Sequence, residues 1–256
     1  MSRTMSRVDM RESAPTAPRA KTVVGAGVSP GATTNGQPAG PAPEVGTIPI
    51  LPWHGAGHHG ERHARTAMLS ALADHDEPLH EHSTGVAELA GAVATRLELG
   101  AAAVREVVAA AELHDIGKLA LPDSILRKPT GLDEEEWRLV RDHTLVGEAL
   151  LSSLPEVRRV GRLVRSTHER WDGLGYPDGL AGEDIPLGSR IVFACDAYDA
   201  MVSARPYHRP KTKAEAIEEL SRCAGTQFDA RVVGALIVVL LFSVASDGRE
   251  DLAVRP

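Results

Sequence analysis

The sequence predicts an all-α fold, and three observations carry that expectation. From Glu61 onward, apolar residues recur three and four positions apart in successive segments, the period of a helix face turned to a core. Two of these segments open with Asp133…Glu136 and Thr212…Glu215, a residue pattern that caps a helix N-terminus reciprocally. No segment alternates convincingly between apolar and polar residues with period two, so no half-buried strand is expected.

Residues 1–60 are rich in Pro, Gly, Ala, Thr and Ser and show no apolar periodicity. Such a stretch buries too little surface to offset its chain entropy, and a disordered arm is expected there. Its histidines, His54, His58 and His59 with His63 beyond, read as part of a polar linker rather than a metal site. A first helix follows, with Ala64, Met68, Leu69 and Leu72 on one face and a break at His75-Asp76-Glu77-Pro78. His82 and Ser83 precede the stripe Val86, Leu89, Ala90, Val93 and Leu97, closed by Gly100. His82 is therefore expected in the first turn of the second helix or just before it. Val104, Val107, Val108 and Ala111 define a third helix that delivers His114-Asp115 at its C-terminal end, where Gly117 breaks the pattern.

Leu121-Pro122 to Thr130-Gly131 has turn chemistry and reads as a loop. The next helix is capped by Asp133 and Glu136, with Leu132 placed to staple against Trp137, and is expected to carry His143. Val157, Val160 and Val164 mark a helix ending at Thr167-His168-Glu169, before the Gly-rich loop Trp171 to Leu180. After Pro186, the residues Ile191, Ala194, Cys195 and Tyr198 predict a helix bearing Asp196 and Asp199. Gly225 is the expected cap of the helix begun by Thr212, and Asp229 caps the last one. The apolar run Ala235 to Phe242 reads as a buried helix, far short of the ~20 residues that span a bilayer. The expected organisation is an arm over 1–60, one domain over 61–245 and a flexible tail over 246–256.

A net charge of −7 argues against a general nucleic-acid binder, which would show a basic face. Cys195 and Cys223 have no ligand-like spacing and imply no disulfide framework, which fits a reducing cytoplasm. The N-terminus lacks the apolar core of a signal peptide. No membrane association is expected.

The chemistry centres on Glu112-Leu-His-Asp-Ile-Gly-Lys118. An imidazole fills one metal position, and the adjacent carboxylate, Asp115, has two oxygens with which to bridge two ions. His82, His143, His168 with Glu169, and Asp196 each lie in or beside a predicted helix, spaced so that several helices can point one ligand inward. Imidazole and carboxylate donors without thiolates favour Fe, Mn or Zn. Two such ions lower the pKa of a shared water and hold phosphate oxygens for in-line attack. No Ser-His-Asp or Cys-His arrangement is apparent, so attack by water is preferred to a covalent route. Histidines and aspartates buried without partners would be costly, which weighs against a purely structural role for the six. Trp171 and Trp137 read as packing residues and His80 as a solvated neighbour of His82. Glu169 and Asp199 each fit either a supporting role near the ligands or a local structural one.

Taken in order, these motifs resemble the HD-GYP family, a branch of the HD superfamily of metal-dependent phosphohydrolases. The resemblance runs from about His82 to Phe228. It includes His114-Asp-Ile-Gly-Lys118, Ile125-Leu-Arg-Lys-Pro129, His143 with Gly147, His168-Glu-Arg-Trp-Asp-Gly-Leu-Gly-Tyr-Pro177 and Ile185-Pro-Leu. Asp196-Ala-Tyr-Asp-Ala-Met201, Arg205-Pro-Tyr207 and Gln227-Phe228-Asp229 complete it. It implies a helical bundle of the HD-domain type holding two divalent ions, iron or manganese first, with zinc, nickel or magnesium as further options. It also implies hydrolysis of cyclic di-GMP to linear pGpG or GMP, with diguanylate cyclases or other signalling proteins as partners. His82, His114, Asp115, His143, His168 and Asp196 match its ligand positions, and Lys118 and Arg205 its phosphate-contacting ones. Tyr176 belongs to the loop that walls the substrate pocket, and Asp115 with Lys118 forms the expected catalytic pair.

This chain departs from the family pattern in three places. Thr167 stands where the family has a further histidine, Pro78 where some members carry a third-metal glutamate, and His208 where a basic residue is usual. A hydroxyl is a poorer ligand than an imidazole, so one of two ions is expected to be held less tightly. Two rival readings follow from Thr167: an HD-type phosphohydrolase acting on another nucleotide or a phosphomonoester, and a degenerate module that binds without hydrolysing.

Overall fold

The computed structural model describes residues 58–155, 157–203 and 209–247. Among these, ten α-helices and two short 3-10 turns account for the regular structure, and the one β-contact is an isolated bridge between Ala224 and Phe228. The all-α expectation holds. The expectations placed on residues 1–57, on Arg205-Pro-Tyr207 and His208, and on the tail beyond Asp247 lie outside the described residues.

Helices α1 (His58–His75), α2 (Glu77–Arg96) and α3 (Ala101–Leu113) follow one another with tight connections. Asp76 caps α2 by accepting the Leu79 amide at 3.0 Å, an arrangement worth about 1 kcal/mol. Pro78 therefore lies in the first turn of α2, where a missing amide hydrogen costs nothing. The expected break is a helix start, and His82 falls in the second turn rather than the first.

The centre of the bundle is formed by α2, α3 and α8 (Leu187–Val202), each packed on the other two. Val86, Ala90 and Val93 of α2, Ala110 and Leu113 of α3, and Ile191, Val192 and Ala194 of α8 are all fully buried. The many alanines in these faces let the helix backbones approach closely. Helix α7 (Arg158–Arg165) covers α3 and packs on α6 (His143–Ser152), while α9 (Lys213–Arg222) and α10 (Ala230–Asp247) close the side beside α8.

Other expectations are corrected locally. The loop after Leu121 contains a single helical turn, α4 (Asp123–Leu126). The capping box at Asp133 forms as expected, but α5 (Glu134–Arg141) stops before His143, which opens α6 instead. The reason is local. The His143 Nδ1 takes the Val140 carbonyl at 2.6 Å and the Thr144 hydroxyl takes the Arg141 carbonyl at 3.2 Å, in competition with the helical ladder. Gly225, at φ +79°, turns the chain after α9 has ended, donating to the Phe228 carbonyl at 2.8 Å. Asp229 caps α10 through the Arg231 amide at 2.8 Å, as expected. Helix α10 buries Leu236 and Leu240 but leaves Leu241 58% and Phe242 72% exposed, so Ala235 to Phe242 is buried on one face only. No helix of the described residues is long and apolar enough to cross a membrane.

The 3-10 turn Ile116–Ala120, which follows His114-Asp115, packs against α6. A Cβ at Gly117 would lie 1.9 Å from the His143 carbonyl oxygen and 2.8 Å from the Gly147 amide nitrogen. Only glycine permits that approach, which brings the His114-Asp115 pair and His143 to one place.

Candidate metal centre

His114 sits at the end of α3, where helix carbonyls lack amide partners. Its Nδ1 lies 2.7 Å from the Ala111 carbonyl oxygen. A carbonyl can only accept, so Nδ1 carries the hydrogen and Nε2 presents a lone pair. His143 repeats the device on the Val140 carbonyl at the end of α5. Both Nε2 atoms then face the carboxylate of Asp115, which is 2% exposed. Oδ2 of Asp115 is 3.5 Å from His114 Nε2, and Oδ1 is 3.4 Å from His143 Nε2.

These contacts have no hydrogen between them. Asp115 Oδ1, His143 Nε2 and His168 Nε2 are buried without a hydrogen-bond partner. Orphaned buried acceptors typically cost about 1–3 kcal/mol each. Lone pairs converging from different elements are what a cation would satisfy, so the residues present fit a metal. Two donor groups result, each with its ligand atoms within 4.8 Å of one another: His82, His114 and Asp115, and Asp115, His143 and His168. Asp115 is common to both. Asp196 of α8 joins the first group through His82, its Oδ1 3.0 Å from His82 Nε2.

The electrostatics differ around this cluster. Burial pushes His143 down to about 4 and His168 down to about 3, which keeps both imidazoles neutral, the form that ligates metal. His82 runs the other way. Burial alone would lower its pKa, but the carboxylates of Asp196 and Asp199 outweigh it and raise the value to about 10. Burial opposes charge on Asp115 too, yet the Lys118 ammonium beside it holds its carboxyl well below the usual range. Asp196 is likewise held low against burial, by its hydrogen bond to His82.

Of the residues singled out from the sequence, the six candidate ligands converge here. Lys118 lies against Asp115, its Nζ 2.5 Å from Oδ2. The Tyr176 ring stacks on His168 at 5.2 Å and 15°, forming a wall of the cluster. Thr167 is buried beside His168 and turns its hydroxyl to the Val164 carbonyl at 2.8 Å. His80 belongs to neither donor group, and its Nδ1 is buried rather than solvated.

The loop carrying Tyr176 is held at several points. Glu169 Oε1 accepts the Asp178 amide at 2.7 Å, so this carboxylate clamps the loop rather than ending a helix. Arg165 forks onto Asp178 at 2.6 and 2.8 Å and reaches Glu148 of α6 at 2.6 Å. Trp171 donates its amide to the Gln227 carbonyl at 3.1 Å and packs under the Arg190 guanidinium, a packing role as expected. At Gly175 a Cβ would lie 2.3 Å from the Arg170 amide nitrogen, which demands glycine there.

One residue that sequence reasoning passed over lies against Tyr176. The exposed guanidinium of Arg141 lies over the Tyr176 ring, 5.8 Å from its centroid. Its only sequence signal is its place two residues before His143 at the end of α5. The facing ring comes from a distant loop.

A family model for the HD domain matches residues 66–232. The chain is 39% identical over 173 residues to the cyclic di-GMP phosphodiesterase of Thermotoga maritima, covering 66% of this chain and 47% of that protein. It is 42% identical over 179 residues to the cyclic di-GMP phosphodiesterase response regulator RpfG of Xanthomonas campestris pv. campestris, covering 69% and 47%. The chain thus spans about half the length of these curated relatives. Among solved structures, a cyclic GMP-AMP specific phosphodiesterase of Vibrio cholerae superposes with a TM-score of 0.54 at 20% identity, covering 71% of this chain and 48% of that one. At that identity the likeness speaks to the fold alone.

Proposed function

The chain belongs to the HD domain family, in its HD-GYP branch, and from that premise we propose that it is a metal-dependent phosphodiesterase of cyclic dinucleotides, with cyclic di-GMP as substrate. The observation that carries the reading is Asp115, whose two carboxylate oxygens face imidazoles from different helices, with Oδ1 and the His143 Nε2 it faces both left without a hydrogen-bond partner. His82, His114, Asp115 and Asp196 would hold one ion, and Asp115, His143 and His168 the other: iron, manganese or zinc by donor type, with iron or manganese first by the family resemblance. Bound ions supply an activated water and neutralise phosphate charge.

The chain's own residues do the rest. Backbone carbonyls of Ala111 and Val140 fix the tautomers of His114 and His143, so neither of these imidazoles has to reorganise. Lys118, on Asp115 in this state, swings to a phosphate oxygen when the carboxylate is otherwise engaged. Tyr176 walls the pocket, and Arg141 offers a forked donor at its mouth to a phosphate or a guanine edge. The resemblance assigns phosphate contact to Arg205 as well, a residue outside the described ones. Hydrolysis places the oxygen of water on phosphorus and releases the 3′ oxygen as a hydroxyl, giving linear pGpG and, after a second cut, GMP.

The test is purified chain reconstituted with iron or manganese, its metal content measured and cyclic di-GMP turnover followed by chromatography. Linear product at two ions per chain supports the reading. Tight dinucleotide binding without turnover favours the degenerate module that Thr167 suggests. Turnover of cyclic GMP-AMP but not cyclic di-GMP moves the substrate within the class.

A further inference from the structure

The candidate ligand imidazoles are not held alike. His114 and His143 rest their Nδ1 on neutral backbone carbonyls, whereas His82 rests its Nδ1 on a carboxylate, Asp199 Oδ2, at 2.6 Å. Asp199 lies one helical turn beyond Asp196 on α8, so one helix presents a carboxylate to each nitrogen of the same ring. Asp199 is itself held. The Ser203 hydroxyl, a further turn along, donates to Oδ2 at 3.1 Å. On the facing helix α2, a Cβ at Gly85 would touch Oδ1 at 3.6 Å, so the carboxylate is seated between Ser203 and the α2 backbone. A carboxylate behind a ligating imidazole fixes its tautomer, orients the ring and raises its basicity, and loss of such a partner typically costs ~10–100-fold in metal affinity.

We infer that Asp199 is a positioning residue that makes the candidate centre unequal, so that the ion at the His82, His114 and Asp196 end binds first and tighter than the ion at the His143 and His168 end. The inference rests on the two-ion reading above. At the first end two carboxylates contribute directly and a third stands behind His82. At the second end Asp115 is the one carboxylate of the donor group, His143 is backed by a carbonyl, and Thr167 spends its hydroxyl hydrogen on its own helix.

The test is calorimetric titration of metal-free full chain with manganese, comparing wild type, Asp199→Ala and Asp199→Asn, with helix content followed by circular dichroism. Wild type is expected to bind two ions in separable steps. Asp199→Ala weakens the tighter step about 10–100-fold and leaves the weaker one within error. Asp199→Asn, which keeps an acceptor for Nδ1–H and removes the charge, falls between the two. Two steps unchanged in both variants would overturn the inference, as would equal weakening of both steps or loss in the weaker step alone. Wild type that takes up no manganese overturns the two-ion reading, and the inference with it. If Asp199→Ala loses helix content, the near-isosteric Asn variant decides by the same comparison of steps.

Discussion

The two ends of the candidate centre share a carboxylate and otherwise differ in kind. Around His82, charge dominates: Asp196 and Asp199 grip the ring from both sides, and together they lift its pKa to about 10 against the pull of burial. Around His143 and His168, burial dominates, pushing both imidazoles down to about 4 and about 3. The first end comes from the packed centre of the bundle, on α2, α3 and α8. The second comes from the start of α6 and the turn after α7, with its wall supplied by a loop. The candidate centre therefore pairs a helix-borne end rich in carboxylates with a loop-walled end whose one carboxylate is the shared Asp115. The difference suggests how two ions of one element can be held with unequal strength.

The largest effect expected is that of breaking both ends at once. Asp115→Ala removes a donor from each group, and should reduce manganese binding and cyclic di-GMP turnover to background while helix content stays near wild type. Metal analysis and circular dichroism on the same sample check this, and stoichiometric metal with near-normal turnover would remove Asp115 from its bridging place. A finer cut separates the ends. Asp196→Ala and His143→Ala should each leave about one ion per chain, the residual site being the weak one in the first variant and the tight one in the second. Two ions in either variant would show that the ends are not assigned correctly.

Much of this was readable from residues alone. The candidate ligands stand out because imidazoles and carboxylates fall at helix ends in a fixed order, and the capping boxes at Asp133 and Thr212 form as read. What stayed hidden depends on choices that spacing does not make. Proline breaks a helix from within and favours its first turn, and only the Asp76 side chain on the Leu79 amide decides for the second at Pro78. The stop between α5 and α6 requires His143 and Thr144 to capture carbonyls that a helix would otherwise keep. The Asp199 to His82 contact joins residues 117 apart, and Arg141 meets Tyr176 only through the loop that Glu169 and Arg165 pin down. Local pattern specifies elements; these pairings are tertiary.

Two smaller effects sharpen the comparison. Thr167→His should strengthen the weaker ion by about the 10–100-fold associated with a supporting partner, or more, and raise turnover chiefly at limiting metal. Titration and rate against manganese concentration check it. Lowered turnover in a wild type already holding two ions tightly would show a pocket adapted to threonine. Arg141→Ala lies outside both ends. It should raise KM about tenfold, the scale of one lost hydrogen bond to a charged group, with kcat and both metal steps nearly unchanged. An unchanged KM would take Arg141 out of the pocket.

The most direct test of the account is cyclic di-GMP turnover plotted against manganese bound per chain, on one preparation of the wild-type protein. Almost no linear product is expected up to one ion per chain, while the His82 and Asp196 end fills, and a rise between one and two as the His143 and His168 end is occupied. Full turnover already at one ion per chain, or none at two, would contradict it.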